Sequence, residues 1–100
     1  MPPIKDQPET ALPDLESLAR IAAFRPHKVV VLDCNCHTFD DVERALMRYI
    51  PGMTWEQAHR HANEVHFTGA SVVARAPKER AEHMGQGLKA CGLRVSVEPD

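Results

Sequence analysis

The stretch "VVVLDCNCHTFDDV", residues 29–42, runs an apolar segment into a short polar cluster of Asp33, Cys34, Cys36 and His37. Farther on, His66 closes a helical stretch. Two thiolates and two imidazoles are a tetrahedral zinc set, so Cys34, Cys36, His37 and His66 form one candidate metal site. Their C-x-C-H spacing is tighter than the usual C-x₂₋₄-C, and Cys36 and His37 are adjacent. A second chemistry is nucleophilic: Cys34 with His37 or His66 as base. No feature marks an oxyanion site, so no enzyme is expected. The third is capture of a cation by Asp33 and the imidazoles. Cys34 and Cys36 are two apart, so on an extended strand exit their side chains point to opposite sides, and only one faces a site shared with His66.

Composition narrows the classes. A chain of 100 residues is one domain by length, and a domain this small buries only about 60–65% of its unfolded surface. A hydrophobic content of 43% with 26% charged residues fits a globular protein, and no apolar run approaches the roughly 18 residues of a membrane span. Net charge −2 leaves no broad cationic surface for nucleic acid. The start, "MPPIKDQPET", has no secretory pattern, and three cysteines make no disulfide scaffold. A cytoplasmic protein with free thiols and no cofactor is the expectation.

The elements that must position the cluster follow from periodicity. Pro2, Pro3, Pro8 and Pro13 among charged residues make residues 1–25 a flexible N-terminal extension, with a short helical pattern over Asp14–Phe24. Residues 26–100 form the domain. Val29–Leu32, mostly β-branched, read as a strand covered on both faces or at the centre of a sheet. Thr38 and Asp41 form a capping box ahead of Val42, Ala45, Leu46, Tyr49 and Ile50 at helical spacing. Thr54 and Gln57 repeat that signature for a second helix, whose stripe is Ala58, His61, Ala62 and Val65. His59 and His61 face different sides of it, with His59 toward the cluster. "ASVVARA" is a strand. Pro77 opens a helix that sets Ala81, Met84, Leu88 and Cys91 on one face, with Gly85 and Gly87 weakening it. "LRVSVE" alternates as a last strand with Leu93, Val95 and Val97 inward.

In that β-α-α-β-α-β order, "KVVVLD", "VHFTG" and "ERAE" resemble the signature of ClpS, the adaptor family of the bacterial Clp proteases, over residues 27–98. The family carries K-V-[VIL]-[VIL]-L before N-D-D, V-H-x-x-G at the end of its second helix, and A-E in its last helix. The resemblance implies an α+β fold, three helices packed against a three-stranded antiparallel sheet, similar to the C-terminal domain of the ribosomal stalk protein. It also implies a role: binding the N-terminal residue of substrate proteins and handing them to a Clp AAA+ unfoldase, as a monomer.

By position, the resemblance assigns Asp33, Cys34, His37 and His66 to the terminal amine and Phe39, Ala62, Val65 and Leu93 to the side-chain pocket. Glu79 matches an acidic residue used for docking on the unfoldase, while Met84 stands where a lysine is usual. Such a task needs acceptors for an ammonium beside an apolar hole. Asp33 brings a carboxylate one position earlier than the family's, and Cys34 removes an acceptor. Cys34 is the inward cysteine in this register. Ala62 widens the hole and Phe39 narrows it. The alternative is a module of the same fold that no longer reads N-termini and binds a metal ion, through Cys34, Cys36, His37 and His66, or another protein.

Overall fold

The computed structural model describes residues 14–16 and 25–100. Most of the extension, and the helical pattern expected over Asp14–Phe24, lie outside the described residues. Elements run β1 (Pro26–Leu32), α1 (Phe39–Tyr49), α2 (Trp55–Thr68), β2 (Ala70–Pro77), α3 (Lys78–Ala90) and β3 (Arg94–Pro99). The sheet has the order β2-β1-β3 and both pairings are antiparallel. The valine-rich β1 is therefore central, where both its edges are hydrogen-bonded and its Val29 and Val31 are fully buried.

Both capping boxes form. Thr38 Oγ1 accepts from the Asp41 N–H (3.1 Å) while the Asp41 carboxylate accepts from the Thr38 N–H (2.9 Å). Thr54 and Gln57 do the same for α2 at 3.2 and 3.0 Å. Each box satisfies donors that a helix start leaves open. At the other end of α2, Gly69 takes φ 95°, a left-handed conformation that costs a side-chain-bearing residue but not glycine.

The core lies between the Val29/Val31 face of the sheet and all three helices, which contribute Val42, Leu46, Ala58, Ala62, Val65, Ala81 and Leu88 among others. Alanines along α2 do not leave it loosely packed: Ala58 and Ala62 are buried, so the helix backbone sits close to its neighbours. Two inward assignments are corrected. His61 is half-buried and bonds to Ser71 rather than joining the apolar stripe. Cys91 is exposed at the C-cap of α3, because the helix ends one residue before it and the chain turns away.

The glycines that weaken α3 by propensity are required by packing. A Cβ on Gly85 would stand 2.7 Å from Val97 Cγ2, and one on Gly87 would stand 2.4 Å from Tyr49 Cδ1. These positions let α3 approach β3 and the end of α1 more closely than any larger residue allows. Helix propensity alone makes Gly87→Ala stabilising by about 1 kcal/mol, whereas overpacking costs about 1–3 kcal/mol. We expect Gly87→Ala to lower the urea midpoint, by about 1–2 kcal/mol in stability; an unchanged or raised midpoint would show that Tyr49 yields freely.

Candidate functional site

The polar cluster sits on a short connection whose two ends are fixed. At its start the Asp33 N–H donates to Gly69 O at 2.9 Å, tying the exit of β1 to the end of α2. At its finish Thr38 caps α1. Asp41 in that cap is held below the ordinary carboxylate range of 3.8, first by the Thr38 backbone N–H and then by the Thr38 hydroxyl. Between these anchors the chain turns through Asn35–His37 instead of continuing extended.

That turn overturns the reading of Cys34 and Cys36 as separate thiols on opposite sides. The two are joined in a disulfide, with Cα atoms 5.1 Å apart, and the Cys36 N–H donates to Cys34 Sγ at 3.1 Å. Side-chain alternation holds only on an extended backbone, and the turn brings both sulfurs together. The expectation of free thiols holds only for Cys91. It follows that Cys34 and Cys36 cannot supply thiolates, so the four-ligand zinc site with His37 and His66 does not exist with the bridge closed. Among the described residues, no group of three or more His, Cys, Asp or Glu side chains is placed to hold a metal ion.

A cavity of about 350 Å³ opens between this connection, α1 and α2. Its polar wall is Asp33, Cys34, Asn35, His37 and His66, and its apolar wall is Phe39, Val42, Ala62 and Val65, with Thr38 between them. Seven of the eight positions assigned to the amine and side-chain sites line it. Leu93 does not: it is a core residue, 5% exposed, in the cluster beneath the helices. Cys36 also stays out of the lining, which leaves Cys34 as the inward cysteine. Asn35 and Val42 line the cavity without having been singled out; Asn35 follows Cys34 in the stretch aligned with the N-D-D motif, the available signal for it.

Two features give the cavity its chemical character. The His37 Nε2 is buried and has no hydrogen-bond partner, the single such side-chain atom recorded among the described residues. Leaving a buried polar atom unmatched costs about 1–3 kcal/mol, so it marks a position where a ligand donor is favoured. His66 is exposed, and its ring stands edge-on to Phe39 (5.2 Å) and to Phe67 (4.9 Å), which hold its orientation at the rim. His59 is not part of this cavity. Its Nδ1 meets the buried Glu43 carboxylate at 2.5 Å and its ring stacks on Trp55 at 4.9 Å, so it braces α2 against α1.

A larger groove, about 520 Å³, runs on the other side of α2 past Gln57, Arg60, His61 and Glu64. Two of its polar groups are engaged internally: His61 Nδ1 bonds to Ser71 Oγ at 2.7 Å, and the Ser71 hydroxyl donates to the Glu64 carboxylate. The residue with the unpartnered ring nitrogen, His37, and the other converging acceptors line the smaller cavity, which is the better candidate for binding.

Comparison with known proteins fits this geometry. The family model described as "ATP-dependent Clp protease adaptor protein ClpS" matches residues 22–96. The chain belongs to the ClpS family. A ClpS adapter from Synechocystis sp. is 37% identical over 87 residues, covering 87% of this chain and 89% of that protein. A chloroplastic ClpS adapter of Arabidopsis thaliana is 36% identical over 87 residues, covering 87% of this chain and 54% of its own length. The solved structure of Agrobacterium tumefaciens ClpS2 bound to L-phenylalaninamide superposes with a TM-score of 0.71 at 20% identity, covering 76% of this chain and 98% of that one. The α+β fold expected from the resemblance is thus the observed one. Family membership makes the chain a Clp protease adaptor and not an enzyme. No helix among the described residues is long and apolar enough to cross a membrane.

Burial holds the His61 imidazole below its ordinary value of 6.5, against the opposing effect of Glu64. A histidine depressed in the folded state binds its proton more readily when unfolded. Its contribution is therefore present above pH 6.5 and is lost as pH falls below it. Thermal melts at pH 7.5 and 5.5 should show a drop in midpoint that is smaller in His61→Gln, which keeps an amide donor for Ser71 and does not titrate. Equal drops in the two proteins would overturn this assignment.

Proposed function

We propose that this ClpS-family chain binds the N-terminal residue of substrate proteins in the 350 Å³ cavity and presents those proteins to a Clp AAA+ unfoldase. The observation that carries the reading is the convergence of acceptors over an apolar floor. An α-ammonium has three donors and no acceptor, and the cavity wall offers it the Asp33 carboxylate, the Asn35 amide, His66 and the ring of His37, whose Nε2 has no partner within the fold. In its Nδ1–H tautomer, His37 offers Nε2 as an acceptor. Val42, Ala62, Val65 and Phe39 then surround the first side chain.

Charge recognition is shifted along the chain relative to the family motif. Asp33 carries the carboxylate one residue early, and Cys34, now half of a disulfide, is a soft apolar wall. Asn35, inside the bridged loop, and His37, just after it, compensate for the acceptor that Cys34 lacks. The ligand of the A. tumefaciens structure, L-phenylalaninamide, pairs a free amine with an apolar ring, the two features that this cavity suits. Glu79, exposed in the first turn of α3, is the residue for docking on the unfoldase; Met84 is in the core and presents nothing to it. Residues 1–25 serve delivery and residues 26–100 recognition, in the cytoplasm.

Calorimetry with short peptides beginning in Leu, Phe, Trp or Tyr should show binding that N-acetylation abolishes. Asp33→Ala and His66→Ala should each weaken it about tenfold or more, since a hydrogen bond to a charged group is worth about 1.5–3 kcal/mol. No binding at millimolar peptide, acetylated or free, would leave a ClpS-fold module with some other partner. Deleting residues 1–24 should leave peptide affinity unchanged and abolish Clp-dependent degradation of a reporter; lost affinity would assign those residues to the recognition domain.

A further inference from the structure

Resting on that reading of the cavity, we propose that the Cys34–Cys36 disulfide is an exchangeable redox site that sets the affinity of the pocket: bridged, the pocket binds N-termini tightly; as a dithiol, it binds them weakly. The bridge spans a sequence separation of two, and closing so short a loop removes little chain entropy from the unfolded state compared with a long one. It therefore adds little to holding the fold. Neither cysteine takes part in the sheet pairings, the two capping boxes or the Asp33–Gly69 hydrogen bond. What the bridge does control is the backbone between Asp33 and Thr38, the segment that carries Asn35 and His37 into the cavity wall.

The placement of the two sulfurs suits exchange. Cys34 faces the cavity, whereas Cys36 is exposed and outside the lining, so an external thiolate reaches Cys36 Sγ from solvent. Attack there by a small or protein thiol forms a mixed disulfide on Cys36 and releases Cys34 as a thiolate, which takes up a proton. The second thiol of the reductant, or a second molecule of a monothiol such as glutathione, then displaces Cys36, which is protonated in turn. The pair gains two electrons and two protons and the reductant leaves as a disulfide. Oxidation by a disulfide reverses each step.

Opening the ring changes the ligand's surroundings in a definite direction. The Cys36 N–H loses the geometry that aims it at Cys34 Sγ, and the segment holding Asn35 and His37 is restrained only by its two ends. Binding must then order it, at a cost that the bridged form has already met. Neither new thiol makes up the loss, because a neutral thiol is a poor acceptor for ammonium.

The test uses the full chain equilibrated in glutathione buffers from oxidising to reducing. Alkylation with a mass-tagged maleimide counts thiols: the bridged form should expose one, Cys91, and the reduced form three. Affinity for a peptide amide beginning with Phe should fall about three- to tenfold on reduction, following the same midpoint as the thiol count. Cys36→Ser, a change outside the lining, should hold the weaker affinity in every buffer with an unchanged thermal midpoint. Three reactive thiols across the whole series would overturn the bridge. Equal affinity in both redox states would overturn the control of binding while leaving amine recognition standing. Absence of binding in both states, with the thiol count still switching from one to three, would overturn the control of N-terminus affinity by removing the amine reading on which it rests.

Discussion

The hydrogen bond from the Asp33 N–H to Gly69 O joins the two parts of the chain from which the candidate site is built. It extends the β1–β2 pairing one step past Leu32 and Ala70, to a residue that also ends α2. Because Gly69 adopts the left-handed conformation, its N–H closes the helix onto Val65 O while its carbonyl turns to β1. Asp33 and His66 are thereby held at the same end of the molecule. A residue with a Cβ at position 69 would strain this junction, and loss of the junction would separate the carboxylate from the imidazole.

From that junction the energetics divide by function. The apolar core under β1 is small and depends on close approach: alanines on α2 and glycines on α3 bring backbones together where larger side chains would hold them apart. The outer layer of α2 is polar and specific. His59 reaches Glu43 on α1 and His61 reaches Ser71 on β2, so two histidines two residues apart fasten the helix to different neighbours. Partly buried polar pairs of this kind are costly to leave unmatched and so favour one placement of the helix. The cavity inherits its shape from that placement.

The site differs from the rest of the molecule in keeping groups unspent. Elsewhere several carboxylates and imidazoles are paired, as in the Glu43–His59 and Arg75–Asp100 contacts. At the cavity, the His37 Nε2 is buried without a partner and Asp33 faces the opening, an arrangement disfavoured in isolation and favoured once a donor enters. The proposed amine binding and the proposed redox control share the connection between β1 and α1, because the segment that carries Asn35 and His37 into the cavity wall is also the one the disulfide closes.

Element order, both capping boxes, the central position of β1 and most of the cavity lining were legible in the sequence. Each rests on local rules: helical spacing, Thr-x-x-Asp or Thr-x-x-Gln caps, β-branched runs, and a motif read residue by residue. Three matters depended on tertiary structure. Cys34 and Cys36 are bridged because the chain turns at Asn35, and strand alternation, the rule for an extended chain, says nothing about a turn. Leu93 is inward, as strand alternation puts it, but in the core rather than in the cavity wall, and Cys91 is exposed where helical spacing puts it inside, since burial at the end of α3 depends on where the helix stops and how β3 leaves it. Gly85 and Gly87 look like defects in a helix until Val97 and Tyr49 are seen against them. Propensity is a property of a segment and its neighbours in sequence; contact distance is a property of two segments that only the folded chain brings together.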